Sequence, residues 1–317
     1  MREEEKKMYE ASIKSHDTEE FLDMWFYRPL GFRCALFFRN RGIHPNAITI
    51  ASIFLGIAAG ICFYQVSLRW NILGILLLMW ANLYDSTDGQ LARITGQKTR
   101  WGRILDGFAG DCWFFCIYFA IAARETFRPI PFAPEHEWGA LIWILCSFCG
   151  FWIHGSQCQL ADYYRNIHLY FIQENNGNEF HNSMAQRAEY AATPWRGNFV
   201  WKIFLTAYIA YVENQERMSP AFQKFIKTVQ ERYGTNIPKQ LRDEFRRGSL
   251  PLMKYTNILT FNSRAIMLCF SMLVGELWCY LIFEIVVLMM LFFYMQFRHE
   301  TLCKRLTKKI NEGHEFN

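Results

Sequence analysis

Residues 42–68 read GIHPNAITIASIFLGIAAGICFYQVSL, and this stretch contains no Asp, Glu, Lys or Arg. The hydrocarbon core of a bilayer is about 30 Å thick, so about 20 mainly apolar helical residues cross it. Similar uncharged stretches cover residues 70–84 and 138–161, and from 265 to 297 the only charged side chains are Glu276 and Glu284. Residues 1–20 are polar and lack the apolar centre of a signal peptide. We therefore predict an all-α polytopic membrane protein.

Six transmembrane helices follow from this pattern. Pro45 suits the first turn of the first span, and Gly56 with Gly60 marks a face where another helix can approach closely. Aromatic residues mixed with arginines at 17–41 predict an N-terminal interfacial helix. The predicted spans are 45–66, 70–92, 102–123, 138–162 and two within 262–298, joined by a turn near 278–280. The predicted segments are 1–41 (N-terminal), 42–162 (spans one to four with the active site), 163–257 (a helical cytoplasmic insert containing the apolar stretch 199–212, placed at the interface), 258–300 (spans five and six) and 301–317 (a basic tail).

The distribution of charge predicts the orientation of the chain. The net charge is +5, and the basic residues collect just before the first span and just after the last one. The positive-inside bias places both ends in the cytoplasm. Because these residues flank spans rather than forming one stripe, a nucleic-acid partner is not expected. The ten cysteines lie mostly in apolar helices and are predicted to be plain thiols.

Four carboxylates cluster around the loop between spans two and three. Asp85 and Asp88 are three residues apart and share a helix face, Asp106 lies one turn into span three, and Asp111 follows. Carboxylates within apolar spans are functional-site candidates, and converging ones repel unless a cation is bound. A site built only of oxygen ligands suits Mg²⁺ or Mn²⁺.

The residues that follow have the chemistry of a diphosphate site. Gly89, Ala92 and Gly102 leave room for a large ligand beside the backbone, and Arg93 offers a planar fork of donors for phosphate oxygens. The alternative is a membrane protein with salt-bridged carboxylates and tightly packed glycines.

The pattern Asp85-x-x-Asp88-Gly89-x-x-Ala92-Arg93, eight residues, Gly102, three residues and Asp106 resembles the signature of the CDP-alcohol phosphatidyltransferases. Pro45-Asn46-x-x-Thr49 is similar to that family's entry to its first span. The resemblance implies a six-helix membrane enzyme with a cytoplasm-facing site for two metal ions. It implies transfer of a phosphoalcohol from a CDP-alcohol to a second alcohol, with release of CMP.

The last position of the signature differs. The family places its fourth aspartate four residues after the third, and here Gly110 occupies that position and Asp111 follows. Five residues along a regular helix rotate a side chain by about 140° from its starting face. We predict a π-bulge that turns Asp111 back toward the site. The resemblance then makes Asp111 the fourth metal ligand and the catalytic base.

An acceptor site is sought among polar residues of spans four and five. His154, Gln157, Gln159 and Asp162 line one half of span four and are candidates, with helix-to-helix hydrogen bonds as the alternative. Arg264 begins span five, where it could meet a second phosphate or anchor the helix in the headgroups. Glu276 and Glu284 are predicted to be structural or hydrated.

The sequence thus predicts an integral membrane enzyme, with its active site facing the cytoplasm, in phospholipid synthesis. CDP-diacylglycerol is the favoured donor, membrane lipid is a partner, and the acceptor alcohol and a homodimer are left open. Alternatives are a CDP-choline or CDP-ethanolamine type phosphotransferase acting on a lipid alcohol, a divalent-cation transporter, and a catalytically silent scaffold.

Overall fold

The computed structural model describes residues 3–13, 15–172, 182–234, 236–314 and 316, so the predicted break at Gly177 lies outside the described residues. Helices dominate the described chain. They are α1 Glu3–Ser12, α2 Arg28–Asn40, α3 Pro45–Tyr64, α4 Leu68–Thr95, α5 Arg100–Glu125, α6 Gly139–Ser147, α7 Gly155–Ile172, α8 Ser183–Ala192, α9 Phe199–Met218, α10 Pro220–Tyr233, α11 Lys239–Ile258, α12 Phe261–Val274, α13 Trp278–Ile282 and α14 Met289–Asn311. Among the described residues, the π-helical segments Asp23–Tyr27, Phe148–His154 and Phe283–Leu288 join helices, and β1 Pro129–Ile130 pairs antiparallel with β2 Ala133–Glu137.

Five helical stretches of the described chain are long and apolar enough to cross a membrane. They are Pro45–Tyr64, Ile104–Glu125, Gly139–Ile172, Lys239–Val274 and Trp278–Asn311. The predicted second span lies in α4, which is continuous over 28 residues. That length, about 42 Å, is sufficient to cross, but Asp85, Asp88 and Arg93 make its last third polar. An all-α membrane architecture is confirmed, and the count of six stays a prediction.

The chain divides into two compact units, and the first comprises residues 1–155 and 261–287. Its core surrounds α3, α4 and α5, with Phe63, Leu78 and Ile117 fully or almost fully buried. A Cβ at Gly56 would overlap the ring of Trp113, and one at Gly60 would lie 2.8 Å from Cys116 Cβ. The predicted close helix approach at these glycines is therefore confirmed, and α5 is the partner.

In the first unit, a network of hydrogen bonds surrounds the C-terminal end of α5. Arg124 Nη1 lies 3.1 Å from the carbonyl oxygen of Phe63 and 2.8 Å from Asn71 Oδ1. Arg128 Nη1 donates to the carbonyl oxygen of Gly275 at 2.9 Å. The turn between the last two predicted spans lies at residues 275–277, earlier than predicted. Gly275 adopts φ +85°, a left-handed conformation that ends α12 before Trp278 is reached.

The N-terminal segment contains more helix than predicted. Helix α1 occupies the polar stretch near the start of the chain and contacts α4. The helix predicted to lie at the interface begins at Phe21 rather than Asp17, passes through the π-helical segment and continues as α2, with Pro29 as the second residue of α2. Because the Arg28 N–H still bonds to the carbonyl oxygen of Asp23, the helix does not restart here, and Pro29 removes one backbone hydrogen bond from a continuous helix directly after the π-helical segment.

The second unit comprises residues 156–260 and 288–317. Helices α10, α11 and α14 pack around stacked aromatic rings, with the centroids of Phe171 and Phe245 4.1 Å apart. Glu300 accepts hydrogen bonds from the N–H groups of Ala221 (2.7 Å) and Phe222 (3.3 Å) at the start of α10. A carboxylate there satisfies orphan donors at the positive end of the helix. The described residues of the predicted insert are mostly helical, and its bounds of 163–257 stay a prediction.

Candidate active site

Three aspartates form a compact acidic cluster in the first unit. Oxygens of Asp85, Asp88 and Asp106 lie within 4.8 Å of one another. Asp88 is 4% exposed, whereas Asp106 is exposed, so the cluster is open on one side. Three carboxylates at this separation need a compensating cation, and oxygen ligands suit Mg²⁺ or Mn²⁺. The donor set therefore fits the predicted metal.

Thr49 is a member of the site whose role the sequence did not show. Its side chain is 2% exposed, and its hydroxyl donates a short hydrogen bond to Asp88 Oδ2. That bond fixes one carboxylate oxygen and leaves the other for a ligand. The signal was present in Pro45-Asn46-x-x-Thr49, because Pro45 starts α3 and Thr49 follows one turn later.

The predicted π-bulge between Asp106 and Asp111 is wrong. Helix α5 is a regular α-helix throughout Arg100–Glu125. Asp111 therefore shares a face with Phe114, whose ring lies 4.2 Å from that of His154, and it interacts electrostatically with His154. The face of Asp106 instead continues to Trp113, which packs on α3. Asp111 is absent from the acidic cluster of the described residues, so its roles as fourth ligand and base lack geometric support.

The signature glycines and arginine contact the protein in different ways. The Arg93 guanidinium lies alongside Gly89 on α4, where a Cβ would make ordinary van der Waals contact with Nη1 and Nη2 at 3.4 Å. A Cβ at Gly102 would lie 2.9 Å from Asn46 Oδ1, so Gly102 allows α5 to start against α3. Ala92 is half-buried on α4.

The N-terminal segment reaches Arg93. The carbonyl oxygen of Ser12, at the end of α1, accepts a hydrogen bond from Arg93 Nε at 2.5 Å. Gln90, fully buried, donates to Ser12 Oγ at 3.3 Å. Arg93 Nη2 is buried and has no hydrogen-bond partner among the described residues. A buried donor without a partner costs free energy, and an anionic ligand would satisfy it.

The structure places His154 and Arg264 in a second polar cluster of the first unit, inside its apolar core. Arg264 forms an ion pair with Glu284, and both side chains are 0% exposed. Glu284 also accepts hydrogen bonds from the hydroxyls of Tyr118 (2.5 Å) and Tyr280 (2.7 Å) and lies 3.7 Å from His154 Nδ1. Arg264 is therefore not a headgroup anchor, and Glu284 is structural rather than hydrated. This pairing could not be predicted from the sequence, because the two residues meet only through tertiary packing.

The remaining acceptor candidates lie in the second unit. Asp162 Oδ2 accepts hydrogen bonds from Asn166 Nδ2 (3.1 Å) and the Tyr211 hydroxyl (3.4 Å). Asn214 Nδ2 donates to Gln159 Oε1 at 2.6 Å. Gln157 is fully buried. Gln159 and Asp162 therefore form hydrogen bonds to another helix, which was the alternative to a role in binding the acceptor.

Several apolar helices, together with a carboxylate cluster formed by α4 and the beginning of α5, indicate an integral membrane protein with a polar site able to hold a metal ion. Comparison with known families makes this class specific. Residues 42–163 carry a CDP-alcohol phosphatidyltransferase domain, so the predicted resemblance is confirmed for that part of the chain. The domain contains Asp85, Asp88, Asp106 and Thr49.

A curated relative adds a shorter match. An uncharacterized protein of Aquifex aeolicus (strain VF5) is 40% identical over 70 residues, which is 22% of this chain. The matched region spans about a third (34%) of that relative's length. The comparison therefore supports a shared segment and leaves the activity of the whole chain to be argued from its site.

Proposed function

We propose that the chain transfers a phosphoalcohol group from a CDP-alcohol to an acceptor alcohol and releases CMP, with divalent metal held by Asp85, Asp88 and Asp106. The observation that carries the proposal is the acidic cluster inside the CDP-alcohol phosphatidyltransferase domain. Phosphoryl transfer requires mainly positioning and charge neutralisation, which carboxylate-bound cations and an arginine supply. The resemblance to the family implies two metal ions, and Mg²⁺ or Mn²⁺ suits the carboxylate oxygens.

Each protein group has a part in this reaction. Asp85, Asp88 and Asp106 would hold divalent metal, which would neutralise the diphosphate and stabilise the departing CMP. Thr49 holds Asp88 in position, and Arg93 donates to a phosphate oxygen through its buried Nη2. The acceptor hydroxyl attacks the phosphorus bonded to the donor alcohol, and the P–O bond to CMP breaks. Since Asp111 lies on another face, we assign the hydroxyl proton to Asp106, the exposed carboxylate of the cluster.

For the donor we propose a chemical class and a favoured member of that class. The donor is a CDP-alcohol, and CDP-diacylglycerol is favoured because the site lies in a membrane domain. A CDP-choline or CDP-ethanolamine type donor with a lipid acceptor is the second candidate. His154 and Arg264 lie in the buried ion-pair cluster, which argues against their direct contact with an acceptor. The active site faces the cytoplasm in the orientation predicted from the basic flanks.

The proposal is tested by measuring CMP release from CDP-diacylglycerol by the purified chain in lipid nanodiscs with Mg²⁺. Asp88→Asn and Asp106→Asn should each lower CMP release by about 100-fold or more, because each removes a charged metal ligand. Asp243→Asn, an exposed change on α11, is the matched control and should leave the rate unchanged.

Two outcomes would contradict the proposal. Near-normal CMP release by either cluster variant at saturating Mg²⁺ would show that these carboxylates do not hold the metal. Absence of turnover by the unmodified chain with every CDP-alcohol supplied would favour a scaffold if CDP-alcohols bind tightly. It would favour a cation transporter if Mg²⁺ flux into vesicles is seen instead.

A further inference from the structure

Arg28 reaches the acidic cluster from the N-terminal segment. Its Nη1 lies 3.4 Å from Ser86 Oγ, and Ser86 stands between Asp85 and Asp88 on α4. Glu19 holds the other side of the guanidinium by accepting a hydrogen bond from Arg28 Nε at 2.9 Å. The side chain of Arg28 is 18% exposed and that of Glu19 is 5% exposed. Arg28 is thus a mostly buried cation, held by two side chains, beside the candidate metal site.

The backbone is built to bring Arg28 this close. The π-helical segment Asp23–Tyr27 ends directly before Arg28 and changes the direction of its side chain relative to a regular helix. One turn later, a Cβ at Gly31 would lie 2.6 Å from Gln90 Oε1 and 3.3 Å from Ser86 Oγ. Glycine therefore lets α2 touch α4 at the level of the cluster.

Two buried polar atoms near Arg28 lack partners among the described residues. They are Arg93 Nη2 and Gln90 Oε1. The Gln90 amide nitrogen donates to the backbone oxygen of Arg28 at 3.1 Å, so this side chain links the two arginine-bearing helices. The guanidinium groups of Arg28 and Arg93 are close enough to repel each other. The two guanidinium groups supply positive charge, and Arg93 Nη2 supplies a buried N–H donor without a partner among the described residues. Proteins bind phosphate with such groups.

We propose that Arg28 and Arg93 together clamp the diphosphate of the donor, with Arg28 contributed by the N-terminal segment that precedes the family domain. This inference rests on the proposed function and adds a residue outside 42–163, the part that matches the family. Glu19 pre-orients Arg28 through Nε and leaves the outer edge of the guanidinium for phosphate oxygens. Arg93, held by Ser12, presents Nη2 to the same ligand.

The test is calorimetric binding of CDP to the full chain in detergent with Mg²⁺, a readout that does not depend on turnover. Arg28→Gln should raise the Kd for CDP by about tenfold or more, because it removes a charge-assisted hydrogen bond to phosphate. Arg33→Gln, an exposed arginine of the same helix, should leave the Kd unchanged. Glu19→Gln should raise the Kd by less than Arg28→Gln does, because the amide oxygen can still accept from Arg28 Nε and the guanidinium is retained.

The outcomes separate this inference from the proposed function. If the unmodified chain does not bind CDP, the proposed function itself fails. If it binds CDP and Arg28→Gln binds equally well, only the clamp is overturned. Equal losses of affinity in Glu19→Gln and Arg28→Gln would show a purely structural ion pair and also overturn it. Should Arg28→Gln not fold, Arg28→Lys keeps the charge but not the planar fork, and an unchanged Kd for that variant overturns the clamp.

Discussion

At the scale of single residues, a regular α-helix would require the fourth carboxylate of the site at position 110. This chain has Gly110 there and places the carboxylate one residue later, at Asp111. Gly110 lies four residues after Asp106 and therefore near the same face of α5, and a Cβ there would meet no atom within 4 Å. Asp111 lies beside the aromatic rings that contact His154. The site thus has space for a fourth carboxylate at a position where this chain has none.

Asp111→Asn should consequently leave CMP release close to that of the unmodified chain. Gly110→Asp should lower the Mg²⁺ concentration needed for half-maximal CMP release, because it adds an oxygen ligand on the face of Asp106. Both effects are measured by titrating Mg²⁺ in the CMP-release assay. A loss of activity in Asp111→Asn comparable to that of Asp106→Asn would restore Asp111 as the base.

These residues show what could be predicted locally. The convergence of Asp85, Asp88 and Asp106 follows from a three-residue spacing and a short loop, and both are visible in the sequence. The bulge at Asp111 was inferred from the need for a fourth carboxylate, and nothing in the local residues enforces it. Helical periodicity was the stronger argument, and it predicted the face that Asp111 occupies.

At the scale of elements, the pair Arg264–Glu284 joins α12 to the π-helical segment Phe283–Leu288. His154 ends another π-helical segment and approaches the same carboxylate. A widened turn changes the direction of the side chains that follow, which allows three elements to meet at one carboxylate. Such segments depend on tertiary contacts, and the apolar sequences around His154 and Glu284 give no sign of them.

Removing one partner of this pair should be costly. Glu284→Gln leaves Arg264 buried without a counter-ion, and we expect a loss of about 3–5 kcal/mol in the free energy of unfolding. Glu276→Gln makes the same chemical change at the nearby turn, where the Trp278 Nε1 bond of 2.8 Å can persist, and should have little effect. Detergent-titrated unfolding of both variants measures the difference. Equal stability of Glu284→Gln and the unmodified chain would contradict the energetic role of the ion pair.

At the scale of the whole molecule, the charge-free stretches predicted the apolar helices because bilayer thickness sets their length directly. Helix α4 is the exception, since the residues that build the site also lower its hydropathy. Helix α1 was not foreseen because its residues are polar and its position depends on contacts with α4. The acceptor alcohol could not be predicted, because a polar residue in a membrane span can form a hydrogen bond to another helix or bind a ligand, and its sequence position does not distinguish the two roles.

Membrane topology provides the test at this scale. In a cysteine-free background, Val66→Cys and Pro131→Cys should be labelled from one side of the membrane, and Lys98→Cys from the other. This follows if α3, α4 and α5 all cross, and the measurement is labelling of sealed vesicles with an impermeant maleimide. The three positions lie outside α3, α4 and α5. Labelling of Val66→Cys and Lys98→Cys from the same side would show that α4 does not cross and that six spans is wrong.

The buried ion pair between Arg264 and Glu284 also affects how the chain enters the membrane during synthesis. Helix α12 has only 14 residues and places Arg264 within its apolar length. An arginine in a membrane-spanning helix opposes partitioning from the translocon, by about 2.5–3.5 kcal/mol at the helix centre and by less at the fourth residue of α12, where Arg264 lies. Glu284 emerges from the ribosome 20 residues later and cancels that charge. We therefore expect residues 261–298 to leave the translocon as a hairpin, after both charges have been synthesised and have met.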